Sequence, residues 1–174
     1  IKTLRESSSQ SLMTYADHLS GLVWGLETVA WHEDFLDDAC ELLALIAEQE
    51  AASDTGGDRA LRSLREIFLP WLPHTAAAVD ERIAALRSIA RRGGGVRFAF
   101  LLSLLPRFGG DSSRGTHKPS WRDWLAGRKE GVTNREVHTT YVAVWDMVIE
   151  LALSDQERWI DVVPHLNELS RDVH

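Results

Sequence analysis

Hydrophobic residues along this chain recur at three- and four-residue spacing, the repeat that gathers them on one face of an α-helix. Between Leu12 and Ala30 the first such stripe is Leu19, Leu22, Val23, Leu26 and Ala30. A second comprises Phe35, Ala39, Leu42, Leu43 and Ile46 and predicts a helix reaching Glu50, with Asp34 placed to cap it and Asp37 and Asp38 suited to its first turn. Leu61, Leu64, Ile67 and Phe68 form a shorter third stripe, closed by Pro70 and Pro73, which bar the chain from continuing as helix. Thr75 is placed to cap a fourth helix carrying Val79, Ile83, Leu86 and Ala90, and Arg91, Arg92 and the triad Gly93 to Gly95 supply its C-terminal stop.

From Val96 to Leu105 the chain is apolar nearly all round, so a central helix is expected there, ended by Pro106. A polar loop from Arg107 to Pro119 follows, and Ser120 and Asp123 have the spacing of a weak cap on a short helix. Thr133 and Glu136 form a capping box ahead of Val137, Tyr141, Val144, Trp145, Val148 and Ala152. Ser154 and Glu157 form another, opening a short helix through Trp159, Ile160 and Val163 that Pro164 interrupts or ends. Nowhere do apolar and polar residues alternate as a half-buried strand requires, and the expected fold class is all-α.

The predicted helices divide into antiparallel hairpins, residues 35–50 with 61–69 and 76–92 with 96–105. Pro70 and Pro106 close equivalent helices 36 residues apart, within the range of helix-hairpin repeats. The expectation is therefore a stack of hairpins, an irregular tetratricopeptide- or HEAT-like array, with a compact orthogonal bundle as the alternative. Residues 1–11, rich in serine, are expected to be frayed, and residues 12–174 to form a single domain.

Length and composition agree with one globular domain: 174 residues, 44% hydrophobic and 26% charged. Cys40 is the only cysteine, which excludes an internal disulfide and fits a reducing, cytoplasmic setting. No apolar run is long enough to span a membrane. The chain opens on Ile1 rather than Met, which suggests a piece of a longer protein.

The net charge of −7 is unevenly distributed. Residues 82–135 hold 12 of the 19 Lys and Arg but only three acids, Asp111, Asp123 and Glu130. Such a basic middle can steer an anionic partner, or it can face the acidic helices of its own fold. Arg107, Arg114, Lys118, Arg122, Arg128 and Lys129 flank Trp121 and Trp124, an interleaving of cations and aromatics that suits nucleic-acid phosphates and bases as one alternative. Trp24, Trp31, Trp145 and Trp159 fall on or beside apolar stripes and read as packing residues, whereas Trp71, Trp121 and Trp124 sit beside prolines or loops, where aromatics anchor or bind.

Signatures of catalysis are thin. His117, Asp123 and His138 are close in sequence and form a hypothetical base, orienting carboxylate and acid for a small hydrolase, but no nucleophile elbow accompanies them. The seven histidines and one cysteine have no zinc-binding spacing, so neither metal nor cofactor is expected. The glycine triad follows a helix, the wrong order for a phosphate-cradling loop.

The run from Ser63 to Thr75 (SLREIFLPWLPHT), followed by Phe100 to Pro106 (FLLSLLP) and Thr116 to Trp124 (THKPSWRDW), resembles a run found in large bacterial proteins. There it is similar to the helical, tetratricopeptide-like region downstream of an NTPase or sirtuin-like effector, as in antiviral STAND NTPases and related defence proteins. The similarity spans roughly Leu22 to Trp124. It implies a sensor or assembly segment without catalytic residues, the effector modules lying outside it. No Walker lysine or sirtuin glycine motif is present, in keeping with that role.

Together these readings point to a non-enzymatic, protein-binding helical domain whose partner is another protein or a neighbouring domain of a parent chain, with self-association as a further option. The expected contact residues are Arg114, His117, Lys118, Trp121, Arg122 and Trp124.

Overall fold

The computed structural model describes residues 18–53, 57–106, 110–120, 123–124 and 131–169. The segment 1–11 expected to be frayed, residues 12–17 of the expected first helix, and Arg107, Trp121, Arg122, Arg128 and Lys129 lie outside the described residues. Seven α-helices, and no strand, are found among the described ones. They are α1 (18–29), α2 (Leu36–Ala52), α3 (Arg59–Phe68), α4 (Val79–Arg91), α5 (Gly95–Ser103), α6 (Asn134–Ser154) and α7 (Trp159–Leu169), with 3-10 turns at Glu33–Phe35 and Gln156–Arg158. The fold is all-α, and none of the described helices is long and apolar enough to cross a membrane.

Helix α2 is central. It pairs with α3 and touches α4 and α5; α3 also packs on α5, α4 on α5 and α6, and α6 on α5 and α7. Its buried face is Leu36, Ala39, Cys40, Leu43, Ala44 and Ala47, and four of these six are small, which lets neighbouring backbones approach closely. Phe35 and Leu42, expected inside, are exposed. Two apolar stripes overlap on this helix, and packing selects the one richer in alanine.

Helix α5 is the apolar plug predicted from its composition: Phe100 and Leu101 are fully buried, and Phe100 lies 5.9 Å from Phe68 of α3. One cation is buried with this helix. Arg97, 3% exposed, forms a forked pair with Glu41 (both contacts 2.8 Å) and donates through Nε to Glu48 at 2.6 Å. Arg92 adds a 2.9 Å contact to Glu41. Hydrogen bonding from Arg97 holds the Glu41 carboxyl below its usual range. The acidic face of α2 thus meets the basic middle of the chain inside the fold.

Several ends differ from the sequence expectation. Asp34 lies within the first 3-10 turn, whose cap is His32; α2 begins after Phe35 with no side-chain cap. Thr75 accepts from the Ala77 amide in a turn before α4, whose N-cap is Ala78, and Glu81 Oε2 accepts the Ala78 N–H at 2.6 Å. Asp155, not Ser154, caps the second 3-10 turn. Helix α3 takes its cap from another helix: the buried Glu50 carboxylate of α2 accepts the Ala60 N–H at 2.9 Å. Gly93 and Gly94, at φ +68° and +92°, both end α4 and open α5. The Thr133 and Glu136 capping box is present as predicted. Pro164 lies within α7 rather than ending it; the carbonyl it deprives belongs to Ile160, a residue 78% exposed.

Candidate functional site

Residues 110–120 are not helical, yet they are tied to the bundle at many points, and the ties converge on two carboxylates. Glu27 follows Val23 by one helical turn and precedes Ala30 on the inner face of α1. Glu66 lies beside Ile67 on α3. Both are buried. A buried carboxylate is tolerated only if its oxygens are supplied with donors, and the loop supplies most of them.

Glu66 Oε2 accepts from the Ser113 hydroxyl at 2.5 Å and from the backbone N–H groups of Arg114 and Gly115 at 3.1 and 3.2 Å. Glu27 Oε2 accepts from the His117 backbone N–H at 3.2 Å and from its ring Nδ1 at 2.5 Å, while Oε1 accepts from Ser63 of α3 at 2.5 Å. A carboxylate has no proton to give, so the network assigns the Nδ1 proton to His117. Further ties come from Trp31, which donates to the Thr116 hydroxyl at 3.1 Å, and from Arg65, which pairs with Asp111 and donates to the Ser103 carbonyl at 3.2 Å. The Arg65 link fixes the start of the described loop to the end of α5.

The corner after α3 completes the network. Pro70 and Pro73 turn the chain so that the His74 amide returns to the Ile67 carbonyl and the Ala76 amide donates to the Trp31 carbonyl. His74 is then buried beside Trp31, with Nδ1 3.7 Å from Glu66 and Nε2 3.5 Å from the Ser113 hydroxyl. Burial pushes the His74 pKa down, against the opposing pull of Glu66 and Glu27.

The loop turns its charged side chains the other way. Arg114 and Lys118 are exposed, and the Lys118 ammonium lies 5.6 Å over the Trp31 ring. The His117 ring packs 4.7 Å from Trp24, a residue expected in the core that is instead 51% exposed. Of the other expected contact residues, Trp124 is half-buried and edge-on to His32 at 5.2 Å, and Trp121 and Arg122 lie outside the described residues.

No hydrogen bond or ion pair joins His117 to Asp123 or His138, and both of those residues are exposed. The His117 ring is engaged by Glu27 instead. The Ser113 hydroxyl gives its hydrogen bond to Glu66 rather than to His74, so these groups do not form an activated nucleophile. Among the described residues no group of three or more His, Cys, Asp or Glu is placed to hold a metal ion. Burial also raises the Cys40 thiol pKa, which makes it unreactive. Arg82 and Arg97 of the basic middle are buried and cannot reach nucleic-acid phosphates.

The sequence matches no family model, no curated protein and no solved structure.

Proposed function

We propose that this chain is a non-enzymatic, protein-binding helical domain whose contact surface is the anchored loop 110–120 with the aromatic residues beside it. The observation that carries the reading is a division of labour within the loop. Its backbone and its Ser113 and Thr116 hydroxyls are bonded inward to α1, α3 and the corner after α1, while Arg114 and Lys118 face solvent. A loop ordered before it meets a partner loses little conformational entropy on binding. Cations beside the half-exposed Trp24 and the Trp31 ring suit a partner segment that combines acidic and apolar residues.

The neighbour relations of alternate helices, α2 with α4, α4 with α6 and α3 with α5, support a stacked-hairpin architecture. In the setting suggested by the resemblance to bacterial defence proteins, the domain acts as a sensor or assembly segment and catalytic modules lie elsewhere in the parent chain.

Selection from a displayed random-peptide library tests this reading, using the wild-type domain as bait and an Arg114→Glu, Lys118→Glu variant as counter-bait. Enrichment of Asp- and Glu-containing peptides that fail to bind the variant is expected. Peptides that bind both baits equally would place the contact surface elsewhere.

A further inference from the structure

Helix α2 carries a second apolar stripe that the fold leaves uncovered. Phe35, in the turn that opens the helix, and Leu42 and Leu45 are 48%, 49% and 43% exposed, although α2 is the central helix of the bundle. With Asp38 they occupy positions 35, 38, 42 and 45, the alternating three- and four-residue spacing by which one helix seats the side chains of another. At its N-terminal end the stripe continues through the His32 ring, 5.1 Å from Phe35, to Trp124, 5.2 Å from His32. Single exposed leucines are ordinary on a protein surface; large apolar side chains in register along about 15 Å of helix are not.

The charge around the stripe specifies what can lie on it. Glu33, Asp34, Asp37 and Asp38 are all exposed, and residues 31–58 contain no Lys or Arg. Two cations reach α2 from the end of α4 and from α5, and both are already bound, Arg92 to Glu41 and Arg97 to Glu41 and Glu48. Asp37 has the Ser88 hydroxyl at 3.5 Å, and Asp34 the His32 ring at 3.8 Å. The Asp38 carboxylate, in the middle of the stripe, makes no hydrogen bond or ion pair with any described residue. A second copy of this chain pairing through the same face would bring more acids to Asp38 and no cation, because the face has none.

We propose that this face of α2 docks a basic amphipathic helix of another protein, one with apolar residues at heptad spacing and Lys or Arg on their flanks. The apolar residues of that helix pack against Phe35, Leu42 and Leu45, and a flanking cation pairs with Asp38 as water leaves the contact. Glu33, Asp34 and Asp37 add attraction at longer range. The surface takes the opposite charge from the outward side of loop 110–120 and does not depend on it.

Three synthetic peptides of about 20 residues, long enough to be helical, test the assignment. One has leucine at the a and d positions of each heptad and lysine at e and g; the second has glutamate in place of lysine; the third has the residues of the first in scrambled order. Each is titrated into the methyl-labelled domain and read by NMR at Leu42 and Leu45. The lysine helix should give saturable shifts at both residues, and the glutamate helix and the scrambled peptide should bind at least about tenfold more weakly. Asp38→Lys should weaken the lysine helix at least about threefold, and Leu42→Ser combined with Leu45→Ser should abolish its binding. Because all three positions are exposed, both variants should keep the wild-type helical spectrum. The proposal is overturned if the lysine helix gives no saturable shift at either leucine, if the glutamate helix or the scrambled peptide binds as tightly, or if either folded variant binds the lysine helix as the wild type does. It is also overturned if the same methyl signals move when the domain alone is concentrated, which would assign the face to a second copy.

Discussion

Glu27 and His117 stand 90 positions apart, yet one carboxylate oxygen of Glu27 lies 2.5 Å from the His117 ring nitrogen and 3.2 Å from its backbone nitrogen. A single buried group thereby fixes both the course of the loop and the orientation of a side chain on it. Glu66 does the same for residues 113–115 from the neighbouring helix. The charges of both glutamates act on the buried His74, whose Nδ1 lies 3.7 Å from Glu66.

Replacing Glu66 with alanine leaves the Arg114 and Gly115 amides and the Ser113 hydroxyl without their acceptor. A loss of about 1–3 kcal/mol is expected from urea unfolding, the lower end if the freed loop reaches water. Glu66→Gln retains one acceptor oxygen and should lose less. Equal stability of wild type and Glu66→Ala would mean that the carboxylate does not hold the loop.

Of the two anchors only Glu27 leaves a trace in the sequence: it shares a helical face with Val23 and Ala30 and places an acid beside an apolar stripe, whereas Glu66 falls off the stripe of Leu61, Leu64, Ile67 and Phe68 and reads as an ordinary outward acid. Periodicity identified the helices and most of their inner faces because burial of apolar area is a local, repeating signal. It could not pair Glu27 with His117, since the match depends on a fold that brings distant segments together. Caps at Asp34, Thr75 and Ser154 were misplaced for a related reason: short polar residues compete for nearby amides, and the local backbone decides which succeeds. The apolar neighbours of Trp24 suggest packing, but it lies one position away from the buried Val23 and so on the outer side of α1.

Arg97 offers a test of the internal charge pairing. Arg97→Ala leaves Glu41 with only the exposed Arg92 as partner and should cost up to about 3–5 kcal/mol, whereas the double variant Arg97→Met, Glu41→Leu should recover much of that loss, because removing both charges also removes their desolvation cost. Chemical denaturation of the three proteins decides it. A double variant no more stable than Arg97→Ala would contradict this account of the pair.

His74 and Glu41 set two pH windows. The His74 pKa is lowered in the folded state, so the unfolded chain binds the proton more readily; its contribution is complete above the ordinary imidazole value of 6.5 and falls as pH drops from there toward the folded pKa. Glu41 is also lowered, so its contribution is present above 4.5 and is lost as pH falls through its folded pKa. Urea midpoints of wild type and His74→Gln measured from pH 8 to pH 5 should therefore diverge at the upper end and converge on acidification. Parallel curves would show that His74 is not held toward its neutral form.

Core and surface apolar residues should separate cleanly. Phe100→Ala opens space beneath α3 and should cost about 3–5 kcal/mol, while Ile160→Ala on the exposed side of α7 should stay within about 0.5 kcal/mol of wild type. Thermal or urea unfolding measures both. A comparable loss at Ile160 would mean that this side of α7 is covered in solution.

The most direct test of the account is amide hydrogen exchange at Arg114, Gly115 and His117 in the wild-type domain and in Glu27→Ala and Glu66→Ala. The account predicts strong protection of all three amides in the wild type, loss of protection at Arg114 and Gly115 in Glu66→Ala, loss at His117 in Glu27→Ala, and unchanged protection in α2 and α6. Exchange of these amides in the wild type at the rate of an unstructured peptide would contradict it, because the two glutamates would then not hold the loop in order.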